Sequence, residues 1–326
     1  MKECFSEMRL GSAKLAVIKR ANSIIEDFQS QGYRMTLRQL YYQFVTKNWV
    51  TNEEKSYKNL AGTISDGRLC GLIDWDAIED RGRVADVPHH YDDAADLVAT
   101  MKRAAANFTL DRWSGQPVYV ELWVEKQALA GVLEPLAQRH HVTLMVNKGY
   151  SSQSAMFAAA QRFREGMGTT GDRDQFDPDY HHCKPADFAQ TAWRNLESER
   201  DGLLLYLGDH DPSGEDMVRD IRDRLTTFGC GEQLEVRKVA LTTEQVRQYN
   251  PPPNPAKVTD SRAAAYIARH GPSSWEVDSL DPPVLGALVT QAITEVIDTA
   301  TLAAVKAGEV VVQTKLAKAL TSVKFG

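Results

Sequence analysis

The chain has 326 residues, of which 43% are hydrophobic and 25% charged, and its net charge is −6. This composition is ordinary for a globular protein, and it excludes collagen-like, mucin-like and wholly disordered chains. No stretch reaches the roughly 20 consecutive apolar residues that a membrane-spanning helix needs, and the N-terminal MKECFSEMRLGSAKL is too polar for a signal peptide. The four cysteines lie far apart without a CxxC pair, so neither a disulfide framework nor a zinc ribbon is indicated. These features predict a cytoplasmic protein without a membrane partner.

Charge is distributed unevenly along the chain. Residues 1–70 contain eleven basic and seven acidic side chains, whereas the remainder is strongly acidic. A basic N-terminal region on an acidic body suits a phosphate-binding N-terminus and a metal-binding remainder. On charge alone, an ordinary solvated surface fits the same numbers equally well.

The N-terminal region reads as a small helical module. Apolar spacing predicts helices over 12–29 and 53–66, and the capping-box pair Thr36 and Gln39 predicts another over 36–45. The run LIDWDAI, with Gly67 and Gly71 before it, predicts a turn and a strand pair. Helices followed by a β wing are typical of a winged helix, so residues 1–112 are interpreted as a winged-helix-like, DNA-binding domain.

Residues 113–326 are predicted to form a second, α/β domain. Near-continuous apolar runs at 118–124, 142–146, 203–207 and 234–241 are typical of buried parallel strands. Helical stretches at 126–138, from 151 and at 214–227 separate them, which predicts a parallel, Rossmann-like sheet covered by helices. Residues 258–326 are expected to be mostly helical, as a C-terminal extension.

The loop between the second and third predicted strands is rich in Gly, Asp, Pro and His. His181, His182 and Cys183 lie within it and are candidate metal ligands. Adjacent histidines in an acidic loop are more often solvated, and that interpretation is favoured here.

The segment LLLYLGDHDPSGED carries the strongest chemical signal. Asp209 and Asp211 follow a buried strand, and ligands bind beyond the carboxyl ends of such strands. Two carboxylates separated by one residue can reach one cation, and hard oxygen ligands favour Mg²⁺, with Mn²⁺ as an alternative. These acids could instead cap the following helix, but Ser213 is available for that role. Metal binding is therefore the favoured interpretation.

Glu125 stands at an equivalent place, where the strand VYVELWV ends. Equivalent ends of parallel strands share one edge of the sheet, so Glu125 is expected to join Asp209 and Asp211 around one metal ion. The alternative is an ordinary acid in the first turn of a helix, with Lys126 as a solvated neighbour. Glu121 is a poorer candidate because it lies within the strand.

The segment TLRQLYYQF combines an arginine with two tyrosines. Arg38 is three residues before Tyr41 and four before Tyr42, so either phenol can share a helix face with the guanidinium. Such a pair could hold a phosphodiester while the phenolate attacks it. From spacing alone, two aromatic core residues are the more common outcome.

In this order, these pieces resemble the DNA-cleaving A subunit of topoisomerase VI, a type IIB topoisomerase, and the related meiotic double-strand-break transesterase. The family's Arg-Asp-Ile-Tyr-Tyr-like stretch appears here as Arg38-Gln39-Leu40-Tyr41-Tyr42. Its metal-binding Toprim domain has a glutamate after the first strand and a DxD after the third, which are matched by VEK and GDHDPSG. Gln39 replaces the family's acid, which leaves the orientation of the tyrosine open.

Two further segments carry the resemblance, which spans about residues 30–300. KGY at 148–150 is similar to the family's KGYP, with Ser151 in place of proline. WEVDSL at 275–280 is similar to a late segment with an acidic residue before a short apolar run. No ATPase section is recognised in the sequence, so strand-passage machinery would be supplied by another protein or be absent.

The resemblance implies a transesterification on double-stranded DNA. Tyr42 would attack a phosphodiester and become linked to the 5′ phosphate, Arg38 would clamp the scissile phosphate, and Mg²⁺ would be held by Glu125, Asp209 and Asp211. In the family the tyrosine of one protomer meets the metal of the other, which implies a homodimer and a double-strand break. A nucleoid-associated location in the cytoplasm follows from such a substrate.

Three other interpretations remain open at this point. A Toprim nuclease would use the same acids with water as nucleophile. A DxD-containing sugar transferase or a phosphatase would leave the basic helical N-terminus without a role. A DNA-binding scaffold without catalysis would keep the fold within a larger complex.

Overall fold

The computed structural model of the chain describes residues 2–79, 88–147, 149–168, 200–256 and 259–321. It combines helices with a four-stranded parallel sheet, so the predicted α/β class is confirmed. The candidate ligands His181, His182 and Cys183 lie outside the described residues.

Three helices pack together in the N-terminal module, which we define as residues 12–79. They are α1 (Ser12–Ser30), α2 (Leu37–Thr46) and α3 (Glu54–Leu69), and they confirm the three predicted helices. Ile25, Leu40 and Phe44 lie in their shared core. Burial of each such side chain contributes about 1.5–3 kcal/mol of stability.

Helix α2 begins at the capping box that the sequence predicts. The Thr36 hydroxyl accepts a hydrogen bond from the Gln39 amide at 3.3 Å, and the Gln39 side chain accepts one from the Thr36 amide at 2.8 Å. Two of the unpaired amides at the helix start are thereby satisfied. This start places Arg38 in the first turn and both tyrosines in the second.

The prediction of a strand pair within LIDWDAI is wrong. Asp74 instead caps a short 3-10 turn (Trp75–Ala77) by accepting a hydrogen bond from the Asp76 amide at 2.8 Å. Strand β2 (Ile78–Glu79) then pairs in parallel with β1 (Met35–Thr36), more than 40 residues earlier. The segment therefore pairs with a strand that is distant in the chain, which no local sequence pattern predicts.

The α/β unit, residues 113–297, is built on a parallel sheet with strand order β4-β3-β5-β6. The strands are β3 (Val118–Val124), β4 (Thr143–Val146), β5 (Asp201–Leu207) and β6 (Leu234–Ala240). Helices α5 (Ala130–His140), α6 (Gln153–Met167) and α7 (Pro212–Thr227) cover them. All four predicted strands are confirmed, and so is their parallel arrangement.

Alternation along the strands sends side chains to two separate cores. Leu122 and Leu205 face one side, where α5 packs. Trp123 and Tyr206 face the other side, where α6 and α7 pack. Burial on both faces explains why these strands are apolar almost throughout.

The chain after β6 is mostly helical. This confirms the prediction of a mostly helical C-terminal extension for residues 259–321, the part of it that the structure describes. The helices are α8 (Thr243–Tyr249), α9 (Ala263–His270), α10 (Pro282–Thr294) and α11 (Thr299–Thr321). Strands β7 (Asn254–Pro255) and β8 (Ser273–Ser274) pair antiparallel, and a 3-10 turn occupies Val277–Ser279.

Helix α4 (Ala94–Ala106) connects the two parts of the chain and packs against α11. Glu309, the buried residue of α11, accepts hydrogen bonds from the Arg112 side chain at 3.1 and 3.2 Å and from the Leu110 amide at 3.1 Å. The end of the predicted first domain is thus fastened to the last described helix. The boundary at residue 112 stays a prediction.

Among the described helices, none alone has the length and apolar character to cross a membrane. Helices α10 and α11 meet those criteria only when they are taken together across a bend of 97°.

Helix α2 also contacts the α/β unit. Its buried face meets the 3-10 turn Val277–Ser279, and the side-chain amide of Gln43 donates a hydrogen bond to the Asp281 carboxylate. Nearby, the Asn52 side chain donates to Asn254 at 2.8 Å. The N-terminal module is therefore held on the α/β unit at the helix that carries the tyrosines.

Candidate active site at the carboxyl edge of the sheet

Glu125 and Asp209 lie together at the carboxyl edge of the sheet, as the strand pattern predicts. They follow the neighbouring strands β3 and β5. The Glu125 amide donates to the Leu207 carbonyl at 2.8 Å, and the Asp209 amide donates to the Glu125 carboxylate at 3.1 Å. The main chain after β5 therefore holds the Glu125 side chain, which follows β3.

The Asp209 carboxylate is buried and faces a lysine. Its Oδ1 atom is 3.0 Å from Lys126 Nζ and accepts a hydrogen bond from the Val277 amide at 2.9 Å. Burial raises the pKa of Asp209 to about 7, nearby Glu125 adds to this rise, and Lys126 opposes it. A carboxyl group with this pKa is poised to change charge near neutral pH.

Asp211 caps helix α7. Its Oδ1 atom accepts hydrogen bonds from the Gly214 amide at 2.6 Å and from the Ser213 hydroxyl at 2.9 Å. The alternative role of these acids as a helix cap is thus observed for Asp211, and Ser213, which was available for that role, instead donates to Asp211. Asp211 lies at the predicted edge, but one of its oxygens is committed to the helix.

Gly214 allows the close approach of the DxD segment to helix α7. A Cβ atom at this position would lie 2.2 Å from the Asp209 carbonyl oxygen. No side chain fits there without movement of the backbone that carries Asp209.

Lys126 joins three carboxylates rather than facing solvent. Besides Asp209, its ammonium group donates to Glu276 at 3.0 Å and to Asp278 at 2.9 Å. Burial alone would lower the pKa of Lys126, but Asp278, Asp209 and Glu276 outweigh it, and the pKa is raised. Lys126 therefore remains charged and links the turn Val277–Ser279 to the sheet edge.

Tyr42 and Arg38 extend this cluster into the N-terminal module. Tyr42 donates a hydrogen bond from its hydroxyl to Glu276. Arg38 donates to the Tyr42 hydroxyl at 3.0 Å and to the Glu276 carboxylate at 3.1 and 3.2 Å. The predicted sharing of a helix face by Arg38 and Tyr42 is thus observed.

The phenol of Tyr42 is only 2% exposed, and it is protonated in this arrangement. Burial raises its pKa, the carboxylates of Asp278 and Glu276 raise it further, and Arg38 opposes them. Burial would also raise the pKa of Glu276, but Lys126, Tyr42 and Arg38 together lower it to about 2. The proton therefore stays on Tyr42 until the surrounding charges change.

Tyr41 faces away from this cluster. Its hydroxyl donates to the Thr51 carbonyl at 3.1 Å and to the Glu53 carbonyl at 3.2 Å. Of the two adjacent tyrosines, Tyr42 is the one beside the acidic residues.

The carboxyl oxygens at this edge suit Mg²⁺ or Mn²⁺ in their chemistry, since both cations prefer hard oxygen ligands. The Glu125 carboxylate accepts hydrogen bonds from the Asp209 amide and the Tyr206 hydroxyl, both through Oε2. Within the described ranges, however, no three His, Cys, Asp or Glu side chains are grouped as a ready metal cage. In this arrangement Lys126 binds Asp209, and Asp211 caps helix α7.

Glu121 does not belong to this site. It is fully buried within β3, where Arg162 binds it at 2.8 and 3.0 Å and Trp123 donates to it at 2.8 Å. Its carboxylate is paired with Arg162 inside the core, in agreement with its position within the strand.

No family model matches the chain, and no curated protein matches it.

Proposed function

We propose that the protein cleaves double-stranded DNA by tyrosine transesterification, like the A subunit of a type IIB topoisomerase. In this proposal residues 1–112 form a winged-helix-like domain that carries Tyr42, and residues 113–326 form a Toprim domain with a helical extension. The partners would be DNA, a second copy of the chain and a separate ATPase subunit, in a nucleoid-associated setting in the cytoplasm.

One observation carries the proposal. Tyr42 is connected to Asp209 by an unbroken series of contacts that passes through Glu276 and Lys126. A phenol, two cations and the acids of a strand edge are the groups that attack on a phosphodiester requires. The order of the strands and the position of Glu125 beside Asp209 support the same interpretation.

Each residue has a definite task in the proposed reaction. The Tyr42 oxygen bonds to phosphorus as the bond from phosphorus to the 3′ oxygen breaks, and the phenol proton passes to solvent once DNA has displaced Glu276. Arg38 binds a phosphate oxygen, and the released 3′ oxygen takes up a proton. Glu125, Asp209 and Asp211 would hold Mg²⁺, which supplies charge stabilisation at the phosphate when bound.

The phosphodiester must compete with Glu276 for Arg38 and Lys126. Glu276 is an anion between the two cations that a phosphate would use. The described arrangement is therefore a resting state, and DNA binding is expected to displace this carboxylate.

A cleavage assay tests the proposal directly. Supercoiled DNA is incubated with the protein and Mg²⁺, denatured, and run with and without protease treatment. Linear or nicked DNA that is released only by protease indicates a covalent adduct, and omission of Mg²⁺ should abolish it. Intact DNA under all conditions would contradict the proposal.

A hydrolytic nuclease is the second candidate. The deep burial of Tyr42 favours it, because Glu125 and Asp209 remain in contact independently of the phenol. In that case cut DNA enters the gel equally well without protease.

A further inference from the structure

Asn147 has a buried side chain that no group in the described part of the chain binds. It is 7% exposed, and neither its Oδ1 nor its Nδ2 atom has a hydrogen-bond partner within the described structure. Buried amides are almost always hydrogen-bonded, because an unpaired group costs about 1–3 kcal/mol. Such an orphaned side chain indicates a group that binds there.

The position of Asn147 is beside Glu125. Strands β3 and β4 pair Val124 with Val146, and the Asn147 amide donates to the Val124 carbonyl at 2.8 Å. Asn147 and Glu125 are thus the next residues along two neighbouring strands. On β5 the next position in this register is Gly208, and Asp209 follows it with its amide 3.1 Å from the Glu125 carboxylate.

The side chains of Glu125 and Asn147 project toward the same face of the sheet. Trp123 and Met145, two residues earlier on their strands, belong to the core on the side of α6 and α7. Alternation sends Glu125 and Asn147 to that side as well. Tyr206, which lies on this face, donates to the Glu125 carboxylate at 3.4 Å, in agreement with this orientation.

The side-chain oxygen of Asn147 is buried and unpaired in the described structure, whereas the nearby aspartates each commit an oxygen elsewhere. Asp211 uses Oδ1 to cap α7, and Asp209 uses Oδ1 to bind Lys126 and the Val277 amide. Neighbouring strands lie about 4.8 Å apart, and oxygens on opposite sides of Mg²⁺ lie about 4.2 Å apart, given bonds of about 2.1 Å. Asn147 and Glu125 follow adjacent strands and can therefore share one cation, and Asp209 follows β5 on the other side of β3.

We propose that Asn147 supplies a carbonyl oxygen ligand to a divalent cation that Glu125 and Asp209 hold at this edge. The inference rests on the proposed metal-dependent function and adds a neutral ligand to it. A neutral amide satisfies the coordination of the cation without adding a further negative charge to a buried acidic site.

Binding of Mn²⁺ to the full chain, measured by the electron paramagnetic resonance signal of the free ion, tests the inference. We expect Asn147→Ala to weaken binding by roughly 10- to 100-fold. Asn147→Asp retains an oxygen at the same place and should restore binding. Asn22→Ala is the matched control, since Asn22 donates to the Leu72 carbonyl at 2.9 Å within the N-terminal module.

Thermal unfolding without metal separates a ligand from a structural amide. Asn147→Leu removes an unpaired polar group, so the melting temperature should stay the same or rise while Mn²⁺ binding is lost. A clear fall in the melting temperature of this variant, with Mn²⁺ affinity kept, would overturn the inference.

The outcome also distinguishes this inference from the proposed function. If Asp209→Asn loses Mn²⁺ and Asn147→Ala does not, the metal site stands and the role of Asn147 is wrong. If the unaltered protein binds no Mn²⁺ at millimolar concentration, both are wrong.

Discussion

Tyr42 of the N-terminal module donates a hydrogen bond to Glu276, which lies 234 residues later in the chain. Helix α2 reaches the sheet edge through this contact and through Arg38, which binds both groups. The relationship places a candidate nucleophile and the acids of the α/β unit in one network of charges.

Replacement of Tyr42 should abolish the protease-released DNA adduct. We expect Tyr42→Phe to reduce adduct formation by at least about 10³-fold, because Tyr42 is the phenol that Arg38 and Glu276 bind. Tyr41→Phe is the matched control and should retain the adduct, since the Tyr41 hydroxyl binds the Thr51 and Glu53 carbonyls. Persistent cleavage by Tyr42→Phe without an adduct would identify a hydrolytic nuclease.

Mixing two inactive variants tests which chain supplies the tyrosine. The contacts described here join Tyr42 to Asp209 of its own chain, whereas the resemblance implies a tyrosine from the partner. If the site lies within one chain, Tyr42→Phe co-expressed with Asp209→Asn forms no adduct. Tyr42→Phe co-expressed with the unaltered chain should remain active.

Restored activity in the mixed sample would show the opposite arrangement. One site of such a dimer would then combine an intact tyrosine with an intact aspartate from different chains.

Lys126 should contribute strongly to stability. Lys126→Met leaves Asp209, Glu276 and Asp278 without their shared cation, and we expect it to lower the free energy of unfolding by about 3–5 kcal/mol. Urea denaturation measures this change. Lys58→Met removes an exposed pair with Glu54 and should have little effect, and an equally small effect of Lys126→Met would contradict the buried network.

Asp209 should make stability depend on pH. Its pKa is about 7 in the folded state, above the value of about 3.9 for an unfolded aspartate. The folded state therefore binds this proton more tightly, so ionisation costs stability as the pH rises from about 4 to about 7.

Comparison with Asp209→Asn isolates this contribution. The variant should become more stable relative to the unaltered protein across that interval, by on the order of a few kcal/mol at its upper end. Unfolding by urea at several pH values measures the difference. Asp201→Asn, at an exposed position on the same strand, controls for the loss of a charge as such. A difference that does not vary with pH would contradict the raised pKa.

Gly214 should not tolerate a side chain. Gly214→Ala places a methyl group 2.2 Å from the Asp209 carbonyl, so we expect a loss of about 1–3 kcal/mol in unfolding free energy and weaker Mn²⁺ binding. Gly62→Ala, in the interior of α3 with open space around it, should instead stabilise by about 0.5–1 kcal/mol. Equal effects of the two variants would contradict a tight fit at Gly214.

The sheet and its acidic edge are predictable because they depend on local patterns. Buried parallel strands show apolar runs, and the topology then brings Glu125 and Asp209 together without further information. The cap of α7 also had a usable signal. Pro212 is preferred at the first position of a helix, which makes Asp211 rather than Ser213 the cap.

The charged network is not predictable in this way. Lys126 and Glu276 are 150 residues apart, and no local motif announces an ion pair at that distance. The resemblance drew attention to the segment around Glu276 but gave no role for it. The pairing of Ile78 with Met35 is missed for the same reason, since it is a tertiary contact between short strands.

The attachment of Glu309 to Arg112 and Leu110 determines where the chain can be divided. A fragment that begins at residue 113 would keep this buried carboxylate and lose every donor that the structure gives it. Such a fragment is expected to release or unfold its last helix even if the sheet remains intact. A fragment of the C-terminal half should therefore start upstream of α4, so that it keeps Leu110 and Arg112 together with the helix that they hold.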